Sequence, residues 1–300
     1  SFLPDTGQTK CYNNTAEITC PSPGQAFYGQ DANFLTRPRS YLGSTATETD
    51  LVTSLMWQKA DDMQGRIWAD AGVHCQSLEL ESYDDWRLPS RLELLTIVDS
   101  GRSGPAISPV FSCESDYYWS GSTTFNADFA WSVDFTRGGS VLSSRNATPN
   151  VRCVRGAPLP ESVYVDNGDD TVTDKSTGLV WERAGSASQM SWESALAWCE
   201  NATTGGYADW HLPNILEFAS LVDLSRVNPA IDPVFTSPGN MYYSGTTQAG
   251  SSGDSVWMVD FYYGYTDAKF KTNMFHVRCV RSGQGMSSPG ALNMLLLDGQ

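Results

Sequence analysis

Apolar residues recur at helical spacing in two segments of the chain. They occupy positions i, i+3, i+4 and i+7 of each segment, which places them on one face of a helix. Ser191 stands just before the second segment, where its hydroxyl can cap free backbone N–H groups. The segments contain Trp68, Ala71, Gly72 and Cys75, and Trp192, Ala195, Leu196 and Cys199. Each segment is predicted to form a helix that presents its cysteine to the core.

A second helix is predicted after each copy of a Trp-x-Leu-Pro motif. Ser90 with Glu93 is a capping-box pattern, and Asn214 with Glu217 is a looser form of it. The stripe that should face the core in the first of these helices consists of Leu92, Leu95 and Val98.

Short strands are predicted in the rest of the chain. In residues 131–135 every second residue is apolar, which is typical of a half-buried strand. The aspartate of this strand, Asp134, recurs as Asp260, and we expect both to accept structural hydrogen bonds, with Arg152 and Arg278 as the expected donors. A Val-Arg-Cys-Val-Arg segment closes each half and should turn its cysteine toward the first helix and its arginines outward. The predicted fold class is α+β, with two helices followed by a mainly antiparallel sheet in each half.

The elements occur twice because the sequence is an internal repeat. Trp57 returns as Trp181 and Trp86 as Trp210, at a constant offset of 124 (181 − 57) that later becomes 126 (257 − 131). One register held over about a hundred residues indicates two tandem domains. We predict an N-terminal arm at 1–30, repeats at 31–156 and 161–282, and a C-terminal tail at 283–300.

The repeat also predicts the disulfides. Cys75 with Cys153, and Cys199 with Cys279, are the cysteines found in both halves, so a bond within each half is the simplest pairing. The first bond closes a loop of 78 residues (153 − 75) and should stabilise the fold by roughly 4 kcal/mol.

The remaining cysteines lie outside this pattern. Cys11 and Cys20 are expected to close a small loop in the arm. Cys113 is then unpaired, since its counterpart is Ser237, and we expect it to be buried rather than bonded to another chain. This cysteine usage predicts an oxidising, extracellular compartment.

The amino-acid composition argues against several classes of partner. The net charge of −15 and the absence of a cluster of basic residues argue against nucleic acid, anionic lipid and sulfated polysaccharide. No apolar run reaches the length of a membrane span. The chain begins at Ser1 without a charged or apolar leader, which is typical of a processed, mature product.

With these residues assembled, the chain resembles the Lcl C-terminal domain family of bacterial extracellular domains over about residues 31–282. The matching segments are residues 166–174, 177–181, 86–89 and 257–261 and both closing strands. The resemblance implies a C-type-lectin-like fold and a role at the cell surface in adhesion, ligand binding or assembly. A member of the family binds sulfated polysaccharides, but the charge of this chain is wrong for that ligand. The first repeat lacks the opening motif, having residues 42–46 opposite residues 166–170.

That opening motif is a candidate calcium site in the second repeat. Clustered carboxylates at short spacing suit a hard cation, although the spacing is not that of an EF-hand. The candidate ligands are Asp166, Asn167, Asp169, Asp170 and Asp174. A hydrophilic turn that leads into a strand is the competing interpretation.

Aromatic residues present in one repeat alone are the candidate contact surface for a ligand or partner. They stand where the first repeat has small or polar residues such as Thr136, Arg137 and Gly139, and tyrosines in a turn give contact area at low entropic cost. The candidates are Tyr262, Tyr263, Tyr265 and Phe270. A longer, better-covered hairpin remains the alternative interpretation.

Nothing in the sequence indicates catalysis. His74, His211 and His276 lack metal-binding spacing, and no nucleophile elbow, P-loop or dinucleotide fingerprint is present. The first hypothesis is therefore a non-enzymatic, secreted or cell-surface adhesion or binding protein that takes a glycan or protein ligand. The second is a structural subunit of an extracellular filament or other homo-oligomer, held together by the arm and the tail.

Overall fold

The computed structural model describes residues 2–35 and 37–283. The arm forms a small hairpin, closed by the disulfide between Cys11 and Cys20, and runs into a 3-10 turn at Asp31–Asn33. Its strands are β1 (Cys11–Tyr12) and β2 (Glu17–Ile18). The predicted tail, apart from Gly283, lies outside the described residues.

Both repeats have the same order of strands and α-helices, and the second has in addition a 3-10 turn at Thr204–Gly206. The first repeat contains β3 (Tyr41–Gly43), β4 (Thr47–Asp50), β5 (Met56–Gln58), α1 (Trp68–Gln76), α2 (Arg91–Ile97), β6 (Tyr117–Trp119), β7 (Phe129–Asp134), β8 (Ser140–Ser144) and β9 (Val154–Arg155). The second repeat contains β10 (Tyr164–Asp166), β11 (Thr171–Asp174), β12 (Leu179–Glu182), α3 (Trp192–Glu200), α4 (Ile215–Ser220), β13 (Met241–Thr247), β14 (Ser255–Asp260), β15 (Tyr265–Phe270) and β16 (Val280–Ser282). The predicted α+β class with two tandem domains is confirmed.

The helix starts follow from local chemistry. Ser191 accepts a hydrogen bond from the backbone of Ser194 at the start of α3, as predicted. Ser90 and Glu93 form a complete capping box on α2, and Asn214 and Glu217 form the same box on α4. These side chains satisfy backbone N–H groups that the first helical turn leaves without partners.

The disulfides tie helix to strand inside each repeat. Cys75 on α1 is bonded to Cys153, just before β9, and Cys199 on α3 is bonded to Cys279, just before β16. All four residues are fully buried. Each bond therefore holds the first helix of a repeat against the segment that closes it.

Each repeat has a four-stranded antiparallel sheet, in the order β3-β4-β5-β9 or β10-β11-β12-β16. The remaining strands form one six-stranded sheet, β13-β14-β15-β8-β7-β6, that runs through both repeats. β8 and β15 meet where Ser140 pairs with Thr266, and their hydroxyl groups lie 2.9 Å apart. The two repeats thus share a sheet, which sequence patterning in each half could not show.

The hydrophobic core is shared in the same way. One cluster of buried side chains draws on both repeats, and α2 contacts α4 within it. The predicted stripe of α2 faces this core: Leu95 and Val98 are buried, although Val98 follows the end of the helix, and Leu92 is half-buried against the cluster; Leu94 and Ile97 are buried in addition. A helix enclosed on several sides needs apolar residues on more than one face.

The arginines of the closing segments do not all point outward, so that prediction was wrong. Arg152 and Arg278 are fully buried. Arg152 donates to the backbone oxygens of Gln58, Lys59 and Ser112 at 2.6–3.0 Å, and Arg278 makes the equivalent bonds in the second repeat. A guanidinium group has five N–H donors and can bond to several carbonyl groups at once.

The repeated aspartates do not pair with these arginines either. Asp134 accepts from the backbone N–H of Thr136, and Asp260 accepts from that of Tyr262. Each carboxylate therefore caps the turn after its own strand. The strand that ends at Asp134, β7, is buried on both faces rather than one, because Ser132 is fully buried together with its apolar neighbours.

The arm packs on its own chain, across both repeats. Gln8 donates to the backbone oxygens of Ser100 in the first repeat, at 3.5 Å, and Thr247 in the second, at 3.0 Å. Asp31 is buried, and one of its carboxylate oxygens accepts from the hydroxyls of Thr6 (2.6 Å) and Thr246 (2.7 Å). Burial raises the pKa of Asp31 to about 7. The arm is thus fastened by hydrogen bonds to buried groups.

Candidate functional site

The predicted calcium ligands lie in the turn between β10 and β11 and in the two strands that flank it, and most serve that turn. Asp166 accepts from the backbone of Gly168 at 2.9 Å. Asp169 accepts from the backbone N–H of Thr171, and Asp170 forms an ion pair with Arg183 at 3.0 Å.

The other two candidate ligands are also engaged. Asn167 donates to the hydroxyls of Thr171 and Thr173, and Asp174 is fully buried at the far end of β11. Within residues 2–35 and 37–283, no group of three or more His, Cys, Asp or Glu side chains is placed to hold a metal ion. The geometry therefore matches the turn interpretation and gives no support to calcium.

Three of the four predicted aromatic contact residues lie together in the turn between β14 and β15. The rings of Tyr262 and Tyr263 meet edge to face, with centroids 4.5 Å apart. Tyr263 also meets Tyr265 edge to face at 5.7 Å. Phe270 is separate, because it ends β15 at the opposite end of the strand from Tyr265.

These tyrosines rest on the first repeat, which the sequence did not predict. Tyr265 packs edge to face on Trp131 of β7 at 5.4 Å. Tyr263 stacks on Phe125, with an interplanar angle of 14° and centroids 5.6 Å apart. We call Phe125, Trp131, Tyr262, Tyr263 and Tyr265 the aromatic seam.

The aromatic seam is graded from core to solvent. Trp131 is buried, and Tyr263 and Tyr265 are half-buried. Phe125 is 56% exposed and Tyr262 is 37% exposed. Edge-to-face and stacked contacts fix ring orientation, so the two exposed rings are held in place by those beneath them.

A second feature is an open cleft of about 730 Å³ in the second repeat. Its wall carries the exposed side chain of Trp198 on α3. We call it the second-repeat cleft; its lining includes Asp169, Asp170, Glu182, Trp198, Asn201 and Gly205.

The histidines and the free cysteine are dispersed. His74 approaches Asp62, His211 stacks on Phe34, and the Nδ1 atom of His276 lies 2.8 Å from the backbone oxygen of Ser186. Cys113 is half-buried rather than fully buried as predicted, and burial raises the pKa of its thiol. A raised pKa disfavours the nucleophilic thiolate.

Comparisons with known proteins bear on the family to which this chain belongs. No helix among the described residues is long and apolar enough to cross a membrane. A search of curated protein sequences finds no significant match. The family model for the Lcl C-terminal domain matches residues 46–155 and 170–281, one copy in each repeat. This family and the three disulfides are consistent with an extracellular location. These two matches cover most of the sequence, so the chain belongs to the Lcl C-terminal domain family.

Proposed function

We propose that this chain is a non-enzymatic, secreted or cell-surface binding protein that contacts a glycan or protein partner through the aromatic seam. The observation that carries the proposal is that exposed Phe125 and Tyr262 belong to one ring cluster built from both repeats. Aromatic anchors of this kind supply much of the energy at binding surfaces.

The packing beneath the two exposed rings of the aromatic seam supports the proposal. A ring already fixed by its neighbours loses little freedom when a ligand covers it. Tyr263 is held between Phe125 and Tyr265, and Tyr265 in turn rests on the buried Trp131. The acidic surface favours a neutral or cationic partner over an anionic one.

The filament hypothesis receives less support. Several residues of the arm are bonded to their own chain, as Gln8 and Thr6 illustrate. Assembly through the arm would require those bonds to break first.

The test is a double variant, Phe125→Ala with Tyr262→Ala, applied to arrays of oligosaccharides and extracellular proteins. Phe270→Ala is the matched control, because Phe270 is 59% exposed but lies outside the aromatic seam. We expect affinity to fall at least tenfold in the double variant, which corresponds to about 1.4 kcal/mol, and to stay unchanged in the control. Equal binding by the wild type and the double variant would refute the aromatic seam as the contact surface.

A further inference from the structure

The duplication supplies an internal comparison for the second-repeat cleft. Gly205 in that cleft corresponds to Glu81 of the first repeat, at the constant offset of 124 (205 − 81). The two residues share a left-handed backbone, with φ of 64° and 52°. They differ in what their side chains do.

In the first repeat, the side chain of Glu81 closes the equivalent position. Its carboxylate accepts hydrogen bonds from the hydroxyls of Ser44 (2.7–2.8 Å) and Thr47 (3.0 Å) and from the backbone N–H of Ala46 (3.0 Å). These atoms belong to the turn between β3 and β4, which corresponds to the turn that carries Asp169. The Glu81 side chain thus bridges that turn and the segment after α1.

In the second repeat, Gly205 has no side chain to make this bridge, and the turn packs directly against its backbone. A Cβ atom added at Gly205 would lie 2.8 Å from the side chain of Thr171 and 3.0 Å from that of Asp169. Asp169 and Gly205 both line the second-repeat cleft, which has a volume of about 730 Å³.

The wall of the cleft differs between the repeats as well. Trp198 is 49% exposed, whereas the first repeat has His74 at this position (198 − 124). A half-exposed indole on a helix surface presents part of a flat apolar face to solvent. The change to a glycine and the change to a tryptophan occur on the same cleft.

The polar groups of the cleft are mainly hydrogen-bond acceptors. Asp169 and Asp170 line it, and the side chain of Asn201 donates one of its two N–H groups to the backbone oxygen of Ala197, which leaves its carbonyl oxygen and one N–H group. Glu182 is engaged inside the repeat by Thr204 and by the backbone of Cys279. A ligand here must bring donors and must not bring negative charge.

We propose that the second-repeat cleft binds a pyranose ring of a neutral or amino sugar. One face of the ring stacks on Trp198, and its hydroxyl or ammonium groups donate to Asp169 and Asp170. The combination of an apolar aromatic wall with a few placed polar groups is typical of small-ligand sites. The cleft shares no residue with the aromatic seam, so it adds a second site to the proposed function and can fail independently of it.

The test uses protein labelled with ¹⁵N at tryptophan, so that each indole N–H gives one NMR signal. Trp198→His, which restores the residue of the first repeat, assigns the Trp198 signal. The probes are maltotriose, a chitosan trimer, a heparin-derived hexasaccharide and trilysine. We expect maltotriose or the chitosan trimer to shift the Trp198 signal in a saturable way, and the heparin fragment to leave it unchanged.

Trp198→Ala should weaken binding of the active sugar at least tenfold, and His74→Ala, the matched change in the first repeat, should not alter it. The other indole signals report that each variant is folded. The proposal is overturned if neither sugar shifts the Trp198 signal, if the heparin fragment or trilysine alone does so, or if Trp198→Ala binds as well as the wild type. Loss of binding in the aromatic-seam variant leaves these outcomes unaffected.

Discussion

Replacing Asp31 with Asn is expected to change how stability depends on pH. Asp31 is buried beneath the arm, and two threonine hydroxyls, from Thr6 and Thr246, donate to the same carboxylate oxygen. Asn keeps an oxygen that can accept both bonds. It removes the negative charge, which burial penalises.

The size of the effect follows from the pKa. Burial raises the pKa of Asp31 from its ordinary value of 3.8 to about 7, and one pH unit corresponds to about 1.4 kcal/mol. The folded protein therefore binds more protons than the unfolded chain between these two values. The stabilisation that comes from protonated Asp31 is complete below about pH 4 and is lost as the pH rises to about 7, a change of about 4 kcal/mol. In the Asn variant this loss is absent.

The assay is urea denaturation of both proteins from pH 4 to pH 8. We expect the variant to gain about 4 kcal/mol relative to the wild type over this range, and to be the more stable protein at pH 8. Asp128→Asn is the control, because Asp128 is exposed on a loop of the first repeat. If the difference between Asp31→Asn and the wild type is constant across the range, Asp31 ionises at an ordinary pH and the reasoning is wrong.

Three further predictions test the framework of the fold. Changing both Cys75 and Cys153 to Ala should lower the free energy of unfolding by about 4 kcal/mol, since the bond closes a 78-residue loop; a change below about 1 kcal/mol in a denaturant titration would contradict this. Burial lowers the pKa of Lys271 to about 7, so the folded protein binds fewer protons than the unfolded chain up to pH 10.5. Stability should therefore rise with pH over that window, and Lys271→Met should flatten the rise in a denaturation series from pH 7 to pH 10. Gly139→Ala should destabilise the junction of the repeats, because the new Cβ would lie 2.9 Å from a backbone oxygen of β15. Gly72→Ala should stabilise the protein by about 0.5–1 kcal/mol, because a Cβ at this position of α1 meets no other atom within 4 Å. Thermal unfolding that ranks the two variants the other way would refute this.

Local chemistry made the helices and disulfides predictable. The capping box of Ser90 and Glu93 is written within four consecutive residues, and the pairing of Cys75 with Cys153 follows from recurrence in both halves. Neither inference needs knowledge of a distant surface. The same holds for the α+β class, which depends on the order of short periodic segments.

Features that depend on distant partners were missed. Arg152 lies in a strand pattern that predicts exposure, yet it is buried, and backbone carbonyl groups from two other segments accept its hydrogen bonds. The shared sheet depends on Ser140 and Thr266, which are 126 residues apart and carry no sign of pairing in either repeat.

In the candidate sites, too, local features could be predicted and contacts with distant residues could not. Comparing the repeats identified Tyr262, Tyr263 and Tyr265 as unusual, but not Phe125, whose partner lies in the other repeat. The same comparison contained the change from His74 in the first repeat to Trp198 in the second. The exposure of Trp198 became evident only once the structure placed α3 beside the second-repeat cleft.

The pairing of strands at the borders of the shared sheet bears on self-association. The two halves of the sheet meet at β8 and β15, which pair at a single position, Ser140 with Thr266. Its outer edges are also occupied, because Tyr118 of β6 bridges to Asn150 and Tyr242 of β13 bridges to His276. Exposed edges are where β-proteins recruit one another into aggregates, and both borders of this sheet already have partners within the chain. A second chain that paired with either border of this sheet would therefore have to displace these bridges first.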